Sequence, residues 1–435
     1  MFFQKEIETM PRSKIRELQL ERLKWTVAYC YENIPFYHKR LSDAGVTPDK
    51  IKCLSDIQYI PFTTKADIRD TYPFGLFGKP LKEIVRIHAS SGTTGKPTVV
   101  GYTRHDLDVW SDCVARLCTA VGTTDEDIVQ ISFGYGLFTG ALGLHYGLEK
   151  IGATVVPASS GNTQKQVMLL KDFGVTALVS TPSYALYMSE VAKEMGVSND
   201  ELKLRLGLFG SEGCTPEMRM QVKKGFGLFA TDNYGMSELM GPGVSGECEH
   251  RCGLHINEDH FLAEVIDAQT GDVLREGESG ELVVTTLTKE GIPMLRYRTK
   301  DITRLHYEPC ACGRTFARME KTTGRTDDML KIRGVNVFPS QIESVLISLE
   351  NIGPHYQLIV RREGYMDTLE VRVELIDSSL LDHYGALEQM QKTIKSKLHT
   401  VLGIDCKVSL IEPKSLERFQ GKAKRVIDLR GQGNA

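Results

Sequence analysis

The feature that most constrains the fold of this chain is an alternation of short apolar runs with longer amphipathic segments between residues 85 and 290. The short runs, IVQIS, ATVVPA, ALVST and LRLGLFG, have the length and composition of strands. The segments TRHDLDVWSDCVARLCTAVG and TQKQVMLLKDFG have apolar residues at helical spacing. Such alternation predicts βαβ units around a mainly parallel sheet, with ligand sites at the carboxyl ends of the strands.

The flanking regions have other patterns. Residues 13–44 carry apolar positions at helical spacing and break at NIPFY, which predicts a helical lead-in. From Gly253 to about Leu305, closely spaced strand-like runs with turns at AQTGD and EGESGE predict a small β-rich subdomain. A boundary follows near GRTDDML. We therefore predict an α/β fold, with a large domain of residues 1–326 built on mainly parallel sheets plus the β-subdomain, and a small α+β domain of residues 327–435.

Composition excludes several classes of protein. The 435 residues suffice for about two to three domains. Apolar residues make up 41% and charged residues 25%, which is typical of soluble globular proteins. The net charge of −3 offers no basic excess for nucleic acid. The N-terminus has no signal-peptide pattern, and no run of about 18 apolar residues predicts a membrane helix. We expect a cytoplasmic protein without nucleic-acid or membrane partners.

The stretch SSGTTGKPT, residues 90–98, separates two strand-like runs and has the composition of a phosphate-binding loop. Its glycines allow the backbone amides to turn inward, its hydroxyls can donate, and its lysine adds a mobile charge. The spacing does not fit the Walker pattern, and a polar hairpin turn is an equally open interpretation. The candidate phosphate ligands are Ser90, Ser91, Gly92, Thr93, Thr94, Gly95 and Lys96.

This loop resembles the signature of the adenylate-forming superfamily of acyl-CoA synthetases. Four further stretches follow in that superfamily's order: NYGMSE (233–238), YRTKD (297–301), GRTDDMLKIRGVNVFP (324–339) and GKAKRV (421–426). SFGYGLFTGALGLHYG, MSELMGPGV and EDHF resemble its phenylacetate–CoA ligase branch. The resemblance implies a reaction of an acid with ATP to give acyl-AMP and pyrophosphate, followed by displacement of AMP by CoA. It also implies that the C-terminal domain is mobile and rotates between the two steps.

The resemblance assigns roles around the phosphates. Residues 90–96 would hold the β- and γ-phosphates, Glu238 would bind Mg²⁺, and Lys422 would act on the transition state of adenylation. Thr98 stands where many superfamily members carry a second lysine, so less positive charge faces the phosphates. For Glu238 the alternative is an acid in the first turn of a helix. For Lys422 it is a solvated basic tail, with Lys424 as the neighbouring candidate.

The base and the ribose have their own candidates. Tyr234 would stack on adenine, although a tyrosine in this setting is often core. Asn233 and the backbone of the loop at Ser211, Glu212 and Gly213 would lie at the base edge, and Gly235, Met236 and Ser237 complete the motif. Asp301 would accept two ribose hydroxyls, with a salt bridge to Arg298 as the alternative.

The hinge is expected just beyond the ribose site. Arg325 would lie near the ribose and phosphate, and Asp327 would be the residue whose backbone rotation swings the C-terminal domain. A turn formed by the acid pair at 327–328 is the alternative interpretation.

For the acid substrate, SFGYGLFTGALG combines aromatic residues with glycines, which suggests a flat slot lined by Phe133, Tyr135 and Phe138. Core packing is the alternative for each phenylalanine. We interpret His145, on the following helix, as a core histidine rather than a catalyst.

Two short loops, ECEHRCGLH and EPCACGR, concentrate soft metal ligands. Two such knuckles fit a tetrahedral zinc site, with free thiols in adjoining loops as the alternative. Counting thiols alone favours four cysteines, whereas the resemblance selects Cys248, His255, Cys310 and Cys312, with Cys252 as a substitute. A closed site of this kind would pin the small β-subdomain and take no part in chemistry.

We therefore expect an ATP-dependent aryl-acid CoA ligase of the phenylacetate type, using ATP, Mg²⁺ and CoA and holding structural Zn²⁺. One rival is an acyl-AMP synthetase that delivers its acyl group to a carrier protein. Another is a zinc-stabilised nucleotide-binding module without turnover. The choice among aryl acids stays open at this point, and the resemblance raises the expectation of a homodimer.

Overall fold

The computed structural model describes residues 1–90, 97–327, 330–333, 335–349, 351–363, 366–378, 384–418 and 425–430. Its helices are α1 (Lys5–Glu8), α2 (Arg12–Asn33), α3 (Pro35–Asp43), α4 (Lys65–Asp70), α5 (Arg104–Ala120), α6 (Thr139–Ile151), α7 (Thr163–Asp172), α8 (Pro182–Glu194), α9 (Pro216–Phe226), α10 (Pro339–Ile347) and α11 (Tyr384–Leu402). The predicted helical lead-in is thus two helices, because Pro35 is compatible only with the first turn of a new helix.

The phosphate-loop candidate is flanked by two antiparallel strands, β1 (Arg86–Ala89) and β2 (Val99–Tyr102). The largest sheet has nine strands in the order β13-β14-β9-β8-β7-β6-β5-β3-β4. These are β3 (Ile128–Ile131), β4 (Thr154–Val156), β5 (Ala177–Ser180), β6 (Leu206–Gly210), β7 (Phe229–Met236), β8 (Gly241–Gly246), β9 (Leu254–Ile256), β13 (Leu305–His306) and β14 (Arg318–Met319). Strands β3 to β7 pair in parallel, which confirms the predicted βαβ region, and β8, β9, β13 and β14 continue the sheet with antiparallel pairing.

A second, four-stranded sheet is antiparallel and corresponds to the predicted β-subdomain. Its order is β10 (Phe261–Ile266), β11 (Gly280–Thr286), β12 (Tyr297–Thr303) and β15 (Gly324–Arg325). It begins later than predicted, because the run at Leu254 pairs with β8 and β14 of the large sheet. The pairing of β12 with β15 sets Asp301 opposite Arg325.

The C-terminal unit is the expected mixture of helices and strands. A hairpin of β16 (Leu330–Ile332) and β17 (Val335–Val337) precedes a sheet in the order β20-β19-β18-β21. Its strands are β18 (Ile352–Glu363), β19 (Met366–Leu375), β20 (Lys407–Ile411) and β21 (Val426–Asp428). Helices α10 and α11 pack on this sheet, and most of their buried apolar residues form a core separate from that of the large sheet, whereas Ile347 of α10 packs with residues of α8 and α9.

Local signals set the ends of helices in the βαβ region. Thr103 and Asp106 form a capping box that starts α5, and Thr215 caps α9. Helix α9 ends at Gly227, whose φ of +70° only glycine adopts easily. Parallel strands β5, β6 and β7 then end side by side, so the chain segments that follow them share one edge of the sheet.

Candidate functional site

The segment after β6 has a constrained backbone. Ser211 has φ of +71°, a conformation that costs free energy in a residue with a Cβ atom. The Glu212 carboxylate accepts hydrogen bonds from the backbone N–H of Ser183, at 2.8 Å, and from its hydroxyl, at the start of α8. The Asn233 side-chain amide donates to the carbonyl of Phe209 at 2.6 Å. The predicted base-edge residues therefore lie together at the carboxyl ends of β6 and β7.

The turn between β7 and β8 is held by its glycine and by the neighbouring helices. A Cβ atom on Gly235 would lie 1.8 Å from the carbonyl oxygen of Gly241, so only glycine fits there. The hydroxyl of Tyr102 donates to the carbonyl of Met240 at 3.0 Å. The hydroxyls of Ser237 and Thr139 are 3.0 Å apart. These contacts fix the direction in which the turn presents Glu238.

Glu238 is buried, with 3% of the residue exposed, although it is on a turn. The hydroxyl of Thr98 is 3.4 Å from its Oε1, and Nζ of Lys65 is 3.8 Å from the same oxygen. Ser90 hydrogen-bonds the Thr98 hydroxyl with its own. The structure thus brings the described end of the phosphate-loop candidate against the predicted magnesium ligand.

A buried lysine, Lys289, lies behind this turn. Its side chain is 1% exposed, and its Nζ donates to the backbone carbonyl of Glu238 at 3.1 Å and lies 5.0 Å from the ring centroid of Tyr102. Burial lowers the pKa of Lys289 to about 8, although the charges of Asp106 and Glu238 raise it. The Lys289 ammonium group therefore fixes the main chain at Glu238, although its burial removes it from water.

Asp301 is the centre of a hydrogen-bonded group. The hydroxyl of Tyr234 donates to its Oδ2 at 2.6 Å, and Nη1 of Arg325 donates to its Oδ1 at 2.9 Å. Burial raises the pKa of Asp301, whereas the charge of Arg325 and both hydrogen bonds lower it. The alternative of a salt bridge to Arg298 is wrong, since Arg298 pairs with Glu281 at 2.7 Å. Lys300, the residue before Asp301 in the strand, has a left-handed φ of +70°.

Tyr297, on the strand that carries Asp301, is a buried phenol. Burial raises the pKa of Tyr297 well above its usual value, and the charge of Glu238 raises it further. The charge of Arg325 lowers this pKa and that of Asp301 raises it. Charged residues of three separate motifs therefore affect the pKa of the same tyrosine.

Arg325 also contacts the predicted hinge residue. Its Nε and Nη2 atoms donate to Asp327 at 2.8 and 2.9 Å, so one guanidinium joins Asp301 to Asp327. Beyond this point the C-terminal unit lies against α8. His355 is 3.5 Å from Glu190, and Lys414 pairs with Glu194.

The candidate acid slot contains aromatic side chains in contact with each other. The rings of Phe133 and Phe138 are 6.1 Å apart and tilted by 58°. Phe133 is buried, but Phe138 is 41% exposed, which is unlike a core residue. The hydroxyl of Tyr135 is 3.0 Å from Nδ1 of His145, whose Nε2 is 3.0 Å from Glu149. His145 is therefore half-buried rather than fully in the core, and both of its ring nitrogens have hydrogen-bond partners; that it is not a catalyst stays a prediction.

The metal ligands that the resemblance selected form one cluster. The sulfur atoms of Cys248, Cys310 and Cys312 and a ring nitrogen of His255 all lie within 4.8 Å of one another. Cys248 Sγ is 3.8 Å from Cys310 Sγ, and Cys312 Sγ is 3.6 Å from His255 Nε2. In a tetrahedral site, bond lengths of about 2.3 Å to sulfur and about 2.0 Å to nitrogen place two sulfur atoms about 3.8 Å apart and a sulfur and a nitrogen about 3.5 Å apart. The donor set and these distances fit zinc.

The position of this cluster differs from our expectation. Cys248 follows β8, His255 is on β9, and the other two cysteines lie between β13 and β14. All of these strands belong to the large sheet, so the cluster joins its antiparallel edge rather than the four-stranded sheet. Cys252 is exposed and falls outside the cluster, although its sulfur is 3.2 Å from that of Cys310.

Several predicted site residues lie outside the described part of the chain. These are Ser91, Gly92, Thr93, Thr94, Gly95 and Lys96 of the phosphate loop, and Lys422 of the C-terminal loop. Sequence reasoning also missed two residues of the site. Lys65 lies between Thr64 and Asp67 of a helix capping box, and Lys289 follows the strand GELVVTTLT, so neither is part of a motif that marks it as functional. Within the described ranges, no helix has the length and apolar character needed to cross a bilayer.

Comparisons with known families agree with this arrangement. Residues 70–288 match the AMP-binding enzyme family, and residues 334–430 match the AMP-binding enzyme C-terminal domain. The phenylacetate–coenzyme A ligase of Thermus thermophilus is 50% identical, over 99% of this chain and 100% of that protein. The enzyme of the same name from Escherichia coli K12 is 47% identical, over 98% of this chain and 97% of that protein.

A solved structure also matches throughout. 2-Hydroxyisobutyryl-CoA ligase in the postadenylation state superposes with a TM-score of 0.92 at 30% identity, over 98% of this chain and 91% of that one. The same ligase in the thioesterification state, with CoA bound, has a TM-score of 0.74 over 99% of this chain and 93% of that one. The present chain is closer in overall arrangement to the postadenylation structure.

Proposed function

This chain belongs to the AMP-binding enzyme family and, within it, to the phenylacetate–coenzyme A ligases, and from this premise we propose that its acid substrate is phenylacetate. It is an AMP-forming acid–CoA ligase that uses ATP and CoA. An oxygen of the acid attacks the α-phosphorus of ATP, and pyrophosphate leaves with the bonding electron pair. The sulfur of CoA then displaces AMP from the acyl-AMP.

The observation that carries this proposal is that motifs distant in sequence contact each other: Tyr234 and Arg325 both bind Asp301, and Thr98, after the phosphate loop, lies 3.4 Å from Glu238. In this proposal Tyr234 and Arg325 orient Asp301 to accept the ribose hydroxyls, and Glu238, beside Thr98 and the phosphate-loop candidate, faces the phosphates. Positioning and electrostatic stabilisation supply most of the acceleration in phosphoryl transfer, so a rigid set of polar groups suits this step.

Magnesium would be held by Glu238. A buried carboxylate beside a hydroxyl is a suitable ligand for a hard cation such as Mg²⁺. The metal would neutralise charge on the phosphates when bound. In this proposal the residues of the chain hold the nucleotide: Thr98 and Ser90 fix the start of the phosphate loop, and Lys289 fixes the backbone of Glu238.

Zinc would be structural and held by Cys248, His255, Cys310 and Cys312. Four protein ligands leave no open position for chemistry. The cluster would fix β8, β9 and the β13–β14 connection to one another at the edge of the sheet.

The aromatic slot supports phenylacetate over an aliphatic acid. Phe133 and Phe138 offer a ring face and edge to a flat substrate, and Tyr135 adds a polar end that His145 orients. In this proposal the carboxylate points toward the phosphates and the ring toward these side chains.

The test is a panel of acids in a pyrophosphate-release assay with and without CoA. We expect release with phenylacetate above benzoate and aliphatic acids, and phenylacetyl-CoA when CoA is present. Product only with a carrier protein would support the acyl-AMP synthetase instead, and ATP binding without turnover would support the nucleotide-binding module. A preference for an aliphatic acid would contradict the substrate assignment.

Lys422 has its own test, because it lies outside the described residues. We propose that it stabilises the adenylation transition state. If Lys422→Ala leaves acid-dependent pyrophosphate release unchanged, this assignment fails. Residence in the cytoplasm and a homodimer also stay predictions, the second of which light scattering of the purified protein would test.

A further inference from the structure

Lys65 comes from a part of the chain that none of the selected motifs includes, yet it is fixed to the nucleotide site. The preceding residue pair runs beside β12: Thr63 forms a parallel bridge with Tyr297, and Arg298 N–H donates to the carbonyl of Thr63 at 2.9 Å. Thr64 then caps α4 with Asp67. The strand that carries Asp301 therefore positions the backbone of Lys65.

The side chain of Lys65 reaches the predicted metal ligand from the open side of the site. Its Nζ is 3.8 Å from Oε1 of Glu238, and its side chain is 43% exposed, whereas that of Glu238 is 4% exposed. Thr98 approaches the same oxygen from within the protein at 3.4 Å and is fully buried. The ammonium group thus lies between solvent and the carboxylate.

Lys65 also supplies the positive charge beside the Glu238 carboxylate. Among the described residues, Lys65 is the only lysine or arginine with a nitrogen within 4.0 Å of the Glu238 carboxylate. Lys289 donates its hydrogen bond to the backbone carbonyl of Glu238 and not to the carboxylate. On the buried side, the carboxylate is contacted by Thr98, which is neutral. Phosphates that share a cation with Glu238 must approach from the side that Lys65 occupies.

We propose that Lys65 is a further catalytic residue, which contacts the β- and γ-phosphates of ATP and stabilises pyrophosphate as it leaves. This inference rests on the proposed function. As the bond from the α-phosphorus to the bridging oxygen breaks, its electron pair stays on pyrophosphate. Lys65 keeps its protons and donates hydrogen bonds to the oxygens on which the negative charge grows. Without ATP it neutralises Glu238.

The two half-reactions separate this role from a structural one. Lys65→Ala should lower acid-dependent pyrophosphate release by about 100-fold, as for loss of one charge-stabilising donor. Conversion of supplied phenylacetyl-AMP and CoA to phenylacetyl-CoA involves no pyrophosphate. Its rate should therefore change by less than about twofold. Lys65→Arg should restore part of the first activity.

Binding gives a second readout. Lys65→Ala should lower the affinity for Mg²⁺-ATP, measured by titration without the acid substrate. It should leave the affinity for AMP unchanged. Lys39→Ala is the matched control, because Lys39 is 78% exposed and pairs only with Asp43 in the described residues. Equal losses in both half-reactions, equal losses of ATP and AMP affinity, or no loss at all would overturn the role of Lys65. If the wild-type enzyme released no pyrophosphate with any acid, the proposed function itself would fail.

Discussion

The hydroxyl of Tyr234 donates a 2.6 Å hydrogen bond to the carboxylate of Asp301, so two motifs 67 residues apart share one contact. Arg325 binds the other carboxylate oxygen at 2.9 Å. The residue expected to stack on adenine therefore also orients the residue expected to bind ribose.

Tyr234→Phe should raise the KM for ATP about tenfold or more, because hydrogen bonds to charged groups contribute about 1.5–3 kcal/mol. The ring is retained, so stacking is not removed. The lost bond also favours the protonated form of Asp301, and the acid limb of kcat/KM for ATP should move to higher pH. Steady-state kinetics across pH would show both effects. Tyr59→Phe, an exposed tyrosine, is the control, and an unchanged KM would contradict the role of the contact.

Lys289 should make stability depend on pH above about 8. Its folded pKa of about 8 lies below the ordinary value of 10.5, so between these values the unfolded chain binds the extra proton and stability rises with pH. The slope is at most about 1.4 kcal/mol per pH unit. The free energy of unfolding of the wild type relative to Lys289→Met should therefore increase by about 1–2 kcal/mol from pH 8 to 9.5. Urea titrations would measure it, and a constant difference would contradict it.

The cysteine cluster predicts a specific pattern of zinc content. Cys312→Ser should reduce bound zinc to below about half an equivalent and lower the thermal stability, because metal binding contributes to folding free energy. Cys252→Ser should retain about one equivalent, since Cys252 is exposed and outside the cluster. Metal analysis of protein purified without chelator would decide. Loss of zinc from Cys252→Ser but not from His255→Ala would reverse the choice of ligands.

The hinge prediction separates the two steps of the reaction. Asp327→Pro restricts φ at the residue expected to rotate, so it should slow CoA-dependent turnover about tenfold or more while acid-dependent pyrophosphate release falls less. Asp327→Ala also loses the bonds to Arg325 but keeps backbone freedom, and it is the matched control. Equal slowing of both steps by Asp327→Pro alone would contradict a hinge at this position.

Much of the site could be predicted because its motifs are local. The turn that carries Glu238 and the two cysteine knuckles each carry their chemistry within a few residues, whereas the hydroxyl- and glycine-rich loop stays a prediction because residues 91–96 lie outside the described ranges. The sequence also predicted the quartet that the structure assembles at Cys248, His255, Cys310 and Cys312, because the resemblance supplied the pairing that spacing left open. Zinc itself stays a prediction.

Other relationships had no local signal. Lys65 is 173 positions before Glu238 in sequence, and the pairing of Thr63 with β12 places Lys65 where its side chain reaches Glu238. Arg298 was an equally good partner for Asp301 by spacing, but alternation along β12 directs it to Glu281 instead. The helical pattern predicts a core position for His145, because a periodic pattern does not show that the hydroxyl of Tyr135 lies opposite it.

The sequence by itself determined the order of strands and helices, the chemistry of each motif and the family, since periodicity, turn residues and short motifs are properties of neighbouring residues. The tertiary structure alone decided which charges meet: Lys65 with Glu238, Tyr234 and Arg325 with Asp301, and the cysteine cluster with the large sheet. The physical reason is that strand pairing and burial set distances between side chains remote in sequence, and electrostatic interactions depend on those distances and on the exclusion of water.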